Sequence, residues 1–134
     1  MKIIYSGILT GKFEGKFYLF FIALRNKHVS QGLIAHEFRH AEQYKANKWH
    51  FISQLWDMDI RTELEVDAYV HDGRFVPENI AYIIHNMYEL SILGKLLGKI
   101  LGRRTHKYSK DEILDLVKHK LKEQSKWVKK ALHN

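Results

Sequence analysis

The chain has 134 residues, no cysteine, a hydrophobic content of 46% and a net charge of +7. This length suits one domain, the hydrophobic content favours a packed core over disorder, and the lack of cysteine excludes disulfides and thiolate metal ligands. The charge is uneven, because residues 1–90 carry ten Lys and Arg against eleven Asp and Glu, whereas residues 91–134 carry twelve against four. We therefore predict a single domain over residues 1–134 with a basic C-terminal third.

Two runs of β-branched and aromatic residues open the chain, at residues 3–10 and 17–24. A segment containing Gly11 and Gly15 separates them, which predicts an antiparallel β-hairpin. The apolar stretch at residues 18–24 has seven residues, which is too short to span a bilayer. No signal-peptide pattern precedes or follows that stretch, so we expect a soluble, cytoplasmic protein. An edge strand of this hairpin, next to the following helix, can pair with an extended peptide.

The next predicted element is a helix over residues 31–47, with Ser30 as its N-cap. It contains His36, Glu37 and His40 in the pattern HExxH. Two histidines four residues apart lie on one helix face, so both imidazoles can bind one metal ion. The glutamate between them can accept a proton from a water activated by that metal. The pattern predicts a zinc-dependent hydrolase with Glu37 as the catalytic base.

A second, acidic helix is predicted over residues 53–71, ending near Gly73. A catalytic zinc usually has three protein ligands, and this helix offers the third. Glu63 and Asp67 lie four residues apart and therefore share one face. We predict that Glu63 binds the metal and that Asp67 accepts a hydrogen bond from the outer nitrogen of a ligating histidine. The alternative ligands are Glu65, Asp67 itself, His50 and His71.

A further residue of the same helix is a candidate for stabilising the transition state. His71 follows Glu63 by eight residues, which is about 80° around the helix. From there its imidazole can donate a hydrogen bond to the developing oxyanion. The tyrosine hydroxyls that can serve the same purpose are those of Tyr69, Tyr82 and Tyr88. For each of these residues, packing or solvent exposure is the more common role.

These motifs resemble those of the gluzincin metallopeptidases, in which HExxH is followed on a second helix by ExxxD. The matching residues are His36, Glu37 and His40, then Glu63 and Asp67, and the likeness covers residues 33–69. More narrowly, the chain resembles the minigluzincins, which are small soluble proteins similar to the catalytic core of membrane-embedded peptidases. The resemblance implies zinc on His36, His40 and Glu63, with Glu37 as general base and Asp67 behind the ligands. It also implies that a segment of the chain can cover the cleft in a latent form.

The C-terminal part is predicted to form two helices. The first covers residues 78–101 and opens at Pro77, where the missing N–H of proline has no cost. It is apolar and carries Gly94, Gly98 and Gly102, which favours a core helix or a partner surface such as a dimer interface. The second begins at a capping box, Ser109 with Glu112, and continues to about residue 132.

The predicted fold is α+β, with a short N-terminal antiparallel hairpin or sheet packed on a helical core. The core comprises an active-site helix, a glutamate helix and two C-terminal helices. The predicted function is a zinc metallopeptidase acting on peptide or protein substrates. The alternatives are a non-catalytic zinc-containing module that binds protein or nucleic acid, or a regulatory protease with a single protein partner. Nucleic-acid binding is supported by the basic charge alone, because no recognition motif accompanies it.

Overall fold

The structure, a computed structural model, describes residues 1–18 and 21–132. It combines a small N-terminal sheet with a larger helical part, which confirms the α+β class. A 3₁₀ turn at Ser53–Leu55 joins two of the helices. The elements in chain order are β1 (Lys2–Tyr5), α1 (Gly7–Thr10), β2 (Gly15–Tyr18), β3 (Phe21–Leu24), α2 (Gln31–Ala46), α3 (Lys48–Ile52), α4 (Met58–Asp72), α5 (Pro77–Met87), α6 (Ile92–Ile100) and α7 (Lys110–Leu132).

The sheet is mixed rather than purely antiparallel. Its strand order is β1-β3-β2, with β1 parallel and β2 antiparallel to β3. The hairpin therefore forms between β2 and β3, largely within the predicted strand at residues 17–24. β3 is the central strand and is buried, which explains why its sequence lacks the alternation that would have marked its limits. β2 lies at an edge of the sheet, as the peptide-pairing hypothesis requires.

The predicted first strand, residues 3–10, is extended only in its first half. Ser6 accepts a hydrogen bond from the backbone N–H of Leu9 at 3.3 Å and so caps the short helix α1. Gly11 follows with φ of +58°, a left-handed conformation that favours glycine. The local cap thus competes with strand formation in a segment whose residue types alone favour a strand.

The helices that carry the candidate site agree with the prediction at the start of α2 and at the end of α4, but not at the start of α4. Ser30 caps α2 by accepting a hydrogen bond from Leu33 N at 3.1 Å. α4 begins later than predicted, because Asp57 caps it and the preceding residues form α3 and the 3₁₀ turn. Gly73 ends α4 in the left-handed conformation with φ of +71°.

The predicted helix over residues 78–101 is divided into α5 and α6. Tyr88 and Leu90, which lie between the two helices, are buried. Ser91 then caps α6 by accepting a hydrogen bond from Gly94 N at 3.1 Å. Burial of this short connection therefore interrupts an apolar run that is continuous in sequence. The capping box of α7 forms as predicted, with reciprocal hydrogen bonds between Ser109 and Glu112.

The main core lies where α4, α5 and α7 meet. Its buried residues are Val66, Tyr69, Val70, Ile80, Ala81, Ile84, Tyr88, Ile113 and Val117. A smaller apolar cluster joins the sheet to α2 through Ile22, Leu24 and Leu33. The candidate site lies on α2 and α4, between these two clusters. Among the described residues, no helix is both long and apolar enough to cross a membrane.

Candidate metal centre

Helix α2 brings the two motif histidines together in the interior. The rings of His36 and His40 have centroids 4.8 Å apart, and their Nε2 atoms are separated by 3.2 Å. Both side chains are buried, and so is Glu37 between them. Because the histidines lie one turn apart on the same face, their inner nitrogens converge on one point. The structure therefore gives the HExxH residues the relative placement that their spacing predicts.

The third member of the cluster is Glu65, and not Glu63. The Glu65 carboxylate lies 3.3 Å from His36 Nε2 through Oε2 and 3.2 Å from His40 Nε2 through Oε1. Ligand atoms from His36, His40 and Glu65 all lie within 4.8 Å of one another, and all three residues are buried. Glu65 was one of the alternatives left open by the sequence.

The expectation that Glu63 lies beside the histidines is therefore corrected. Its side chain is 68% exposed, and its Oε1 is 3.8 Å from His50 Nε2. Glu63 and Glu65 are separated by about 200° around α4, so only one of them can point toward α2 at this position. The packing of Val66 and Tyr69 into the main core fixes the rotation of α4 and turns Glu65 inward.

The charges in this cluster are mutually stabilising. Burial would lower the pKa of His36, but Asp72 and Glu65 outweigh it and raise that pKa to about 9. Burial likewise opposes the charged form of His40, yet the charge of Glu65 raises its pKa. The pKa of Glu65 is lowered because the two imidazoles outweigh its desolvation. The buried carboxylate and the imidazoles therefore each favour the charged form of the other.

One buried oxygen of the cluster, Glu65 Oε2, lacks a hydrogen bond from the described residues at the point where the Nε2 atoms converge, which fits a cation site; His36 Nδ1 points instead toward Asp72. Glu65 Oε2 and His36 Nδ1 have no hydrogen-bond partner among the described residues. Glu65 Oε2 is close to His36 Nε2 but without hydrogen-bond geometry. Buried carboxylates are normally paired or bound to a metal. Two imidazoles and one carboxylate form a ligand set typical of catalytic zinc.

The outer nitrogen of His40 contacts Gln43, and not Asp67. His40 Nδ1 lies 2.8 Å from Gln43 Oε1, and Gln43 Nε2 donates to Asp67 Oδ2 at 2.8 Å. The predicted direct contact of Asp67 with a ligating histidine is thus corrected to a contact through Gln43. Asp67 also accepts hydrogen bonds from Arg39 and forms an ion pair with Lys120.

Sequence reasoning missed Gln43, although its position holds a usable signal. It follows His40 by three residues and therefore lies on the same helix face. An amide at that position can accept from the imidazole and donate onward to a carboxylate. It also donates to the carbonyl of Leu64, so it ties α2 to α4 directly.

Asp72 lies behind the other histidine. Its Oδ2 is 3.3 Å from His36 Nδ1, and Arg74 lies 3.0 Å from the same oxygen. Burial would raise the pKa of Asp72, but His36 and Arg74 lower it. Sequence reasoning missed this residue as well. The signal is its spacing, because Asp72 follows Glu65 by seven residues, two helical turns, and so shares its face.

A cavity of about 400 Å³ opens beside the cluster. Its polar lining includes Glu37, His40 and Glu65. The apolar part of the lining comprises Phe13, Phe17, Phe51, Ile52 and Leu55. Burial raises the pKa of Glu37, which favours a carboxyl group that can both accept and return a proton.

The edge strand β2 forms one wall of this cavity. All four of its residues, Gly15, Lys16, Phe17 and Tyr18, line it. Gly15 packs closely against α2, because a Cβ added there would lie 3.2 Å from Glu37 Cγ. The edge strand predicted next to the active-site helix is therefore present beside Glu37.

The predicted transition-state residue His71 is exposed and is not among the described residues that line the cavity. This corrects its placement, since its direction on α4 is set by the same rotation that turns Glu65 inward. Tyr82 is also exposed. Tyr88 does line the cavity, and its hydroxyl is 2.8 Å from that of Tyr69.

Arg61 is a polar group of the cavity that the sequence did not single out. It lines the cavity, and its guanidinium lies 5.8 Å from the centre of the Tyr88 ring. Its Nε is buried and has no hydrogen-bond partner among the described residues. It lies one turn before Glu65 on α4, which is the spacing that could have identified it.

Comparison with known proteins adds no independent assignment. Neither a protein-family model, nor a curated protein, nor a solved structure matches this chain. The interpretation of the centre therefore depends on its own geometry and chemistry. The gluzincin resemblance stays a prediction from the HExxH half of the motif, because Glu63 of the ExxxD half lies away from the histidines.

Proposed function

We propose that this protein is a zinc-dependent metallopeptidase of gluzincin type. The observation that carries the proposal is the buried cluster of His36, His40 and Glu65 next to Glu37 and an apolar cavity. Cysteine is absent from the chain, so a bound metal takes nitrogen and oxygen ligands. Among the common divalent metals, zinc suits two imidazoles and one carboxylate with an open position.

The chemistry divides between the metal and the residues around it. A zinc ion held by the three ligands would polarise the substrate carbonyl and make water acidic enough to be deprotonated near neutral pH. Glu37 would accept that proton as water attacks the carbonyl carbon, and would then deliver it to the leaving nitrogen. Its burial and raised pKa support both transfers.

The edge strand β2 and the apolar wall of the cavity would position the substrate. An extended peptide can add to β2 through main-chain hydrogen bonds, while its side chains enter the cavity. Phe13, Phe17 and Phe51 offer apolar surface to such a side chain. Tyr88 and Arg61 face the same cavity and carry the donors that an oxyanion needs.

The first test compares two glutamates of the same helix. Purified protein should contain about one zinc per chain by mass spectrometry, Glu65→Gln should lose it, and Glu63→Gln should retain it. The two substitutions are chemically identical and lie two residues apart, so the comparison isolates position on α4. Thermal melts would establish that both variants fold. Zinc retained in folded Glu65→Gln would contradict the proposed ligand set.

The second test concerns catalysis. Glu37→Gln should retain zinc and lower cleavage of a fluorogenic peptide library by roughly 10²- to 10⁴-fold, the usual contribution of a general base. Glu42→Gln, an exposed residue of the same helix, is the control and should leave cleavage unchanged. Unaltered turnover in Glu37→Gln would rule out the mechanism. Zinc binding without cleavage of any peptide would favour the non-catalytic binding module instead.

A further inference from the structure

Helix α6 presents an unusual amount of apolar surface to solvent. Ile92, Leu93 and Ile100 are 86%, 78% and 73% exposed. We call the exposed apolar side of this helix the α6 face; its residues are Ile92, Leu93, Leu96, Leu97, Ile100 and Leu101. Scattered exposed apolar residues are ordinary, but a contiguous patch of six on one helix marks an interaction surface.

The opposite side of α6 explains why these residues point outward. A Cβ added at Gly94 would lie 2.1 Å from the carbonyl oxygen of Leu55, and one added at Gly98 would lie 2.3 Å from that of Trp56. Only glycine fits against this backbone. At about 100° per residue, the two glycines share the packed side of α6, and the isoleucines and leucines form a separate apolar arc beside it. The larger side chains are therefore excluded from the protein side.

The charges around the α6 face are predominantly positive. Lys95 and Lys99 lie along one margin of the apolar arc, between it and the glycine side. Residues 89–107 contain five Lys and Arg and one acidic residue, Glu89. Glu89 is 3.9 Å from Lys95 and 4.0 Å from Lys107, Asp57 is 3.4 Å from Arg103 and Glu112 is 3.7 Å from Arg104. These carboxylates offset part of the charge, and Lys99 has no ion pair among the described residues. An apolar arc with lysines at its margin is typical of helices that lie in a lipid interface.

Charge decides between two occupants of this face. A second copy of the chain would place two lysine-flanked helices against each other, and like charges across an interface disfavour association. An anionic bilayer supplies both an apolar interior for the leucines and phosphates for the lysines. We propose that the α6 face docks the protein on the surface of an anionic phospholipid bilayer, with α6 lying parallel to the membrane.

The helix that carries the docking surface packs, through its glycine side, against the rim of the cavity. Leu55 lines the cavity, is exposed, and contacts α6 through its carbonyl oxygen. The docking itself involves none of the candidate metal ligands, so it is tested on the metal-free protein and is independent of the proposed peptidase activity.

The experiment is co-sedimentation with vesicles in the presence of a chelator. We expect the protein to bind vesicles of phosphatidylglycerol and phosphatidylcholine and to bind pure phosphatidylcholine at least about tenfold less. Leu96→Glu combined with Ile100→Glu should lower binding to the anionic vesicles by at least about tenfold. Ile8→Glu, which alters an exposed apolar residue of α1, should leave binding unchanged.

Two double variants with the same change in charge distinguish docking through α6 from general attraction by the basic C-terminal helix. Lys95→Glu with Lys99→Glu should reduce binding strongly, whereas Lys129→Glu with Lys130→Glu on the exposed end of α7 should reduce it little. Equal losses in the two pairs would overturn the proposal, and so would failure of the wild type to bind anionic vesicles. A dimer in sedimentation that Leu96→Glu with Ile100→Glu abolishes would also overturn it.

A second readout measures insertion directly. Leu96→Trp should be quenched by lipids brominated on their acyl chains more than the wild type is, whereas Ile8→Trp should not. Neither substitution changes a charged residue, so this comparison measures insertion and does not depend on a loss of binding. Equal quenching of the two variants would contradict an interface formed by the α6 face.

Discussion

At the scale of single residues, the buried site is a balance of charges. Glu65 is stabilised as a carboxylate by the two histidines, while Glu65 and Glu37 raise the pKa of both imidazoles and Asp72 raises that of His36. A divalent cation in the same place would replace the protons and preserve the balance. Replacement of Glu65 by an amide would leave the two buried imidazoles without the carboxylate that lies beside them.

Asp67 provides a prediction on stability and its dependence on pH. Burial would raise its pKa, but hydrogen bonds from Arg39 and Gln43 and the charge of Lys120 lower it to about 2. A carboxyl group whose pKa falls on folding stabilises the protein above its unfolded pKa, near 3.9, and loses that effect as the pH falls toward its folded pKa. The shift corresponds to about 2 kcal/mol at neutral pH.

We therefore expect Asp67→Asn to lower the free energy of unfolding by about 2 kcal/mol at pH 7. The difference from the wild type should shrink between pH 4 and about pH 2, which urea denaturation at pH 7 and pH 3 would reveal. Glu63→Gln, an exposed carboxyl group on the same helix, should change stability by less than about 0.5 kcal/mol. A difference that is constant with pH would show that Asp67 acts by packing and not by charge.

At the scale of elements, glycines set the approach of α6 to the rest of the chain. Gly94 and Gly98 lie against the carbonyl oxygens of Leu55 and Trp56, so the closest contacts of the helix are with backbone, and the Thr105 side chain also lies beside Gly98. Backbone cannot move aside as the end of a flexible side chain can. The same contact leaves the large apolar residues of α6 exposed, and thus connects a local packing requirement to the proposed lipid-binding surface.

Gly98→Ala should accordingly destabilise the protein. Alanine favours a helix over glycine by about 1 kcal/mol, but the clash with Trp56 O outweighs this gain, since overpacking costs about 1–3 kcal/mol. Gly7→Ala is the control, because nothing lies within 4 Å of the added Cβ at this position of α1. In thermal melts, the melting temperature should fall for Gly98→Ala and should rise or stay unchanged for Gly7→Ala. A stabilised Gly98→Ala would contradict the close packing of α6.

At the scale of the whole molecule, α7 has two different halves. Ile113 and Val117 are buried against the core residues of α4 and α5, whereas Val128 and the neighbouring residues are exposed. Among the described residues, none from α7 lines the cavity next to Glu37. The latent form implied by the resemblance, with a chain segment over the cleft, therefore does not involve residues 110–132 in this arrangement.

Val117→Ala and Val128→Ala should have very different effects on stability. Val117 is fully buried, so removing two methyl groups should cost about 2 kcal/mol, including the cavity that remains. Val128 is exposed on the same helix, and its substitution should cost less than about 0.5 kcal/mol. Urea denaturation measures both. Similar losses would show that the far end of α7 is packed as well.

The sequence by itself determined the features that depend on neighbouring residues. HExxH fixed the shared face of His36 and His40, Ser30 and Gly73 marked helix ends, and the capping box at Ser109 located the start of α7. These signals are reliable because hydrogen bonds and helical spacing within a few residues decide them. The α+β class followed from the same local patterns.

The tertiary structure alone decided which glutamate meets the histidines. The spacing of Glu63 and Asp67 favoured Glu63, but the choice depends on the rotation of α4 that buries Val66 and Tyr69, and that rotation selects Glu65. The parallel pairing of β1 with β3, and the break between α5 and α6, likewise arise from burial against distant parts of the chain. Local sequence cannot encode these outcomes, because the contacts that stabilise them join residues far apart in the chain.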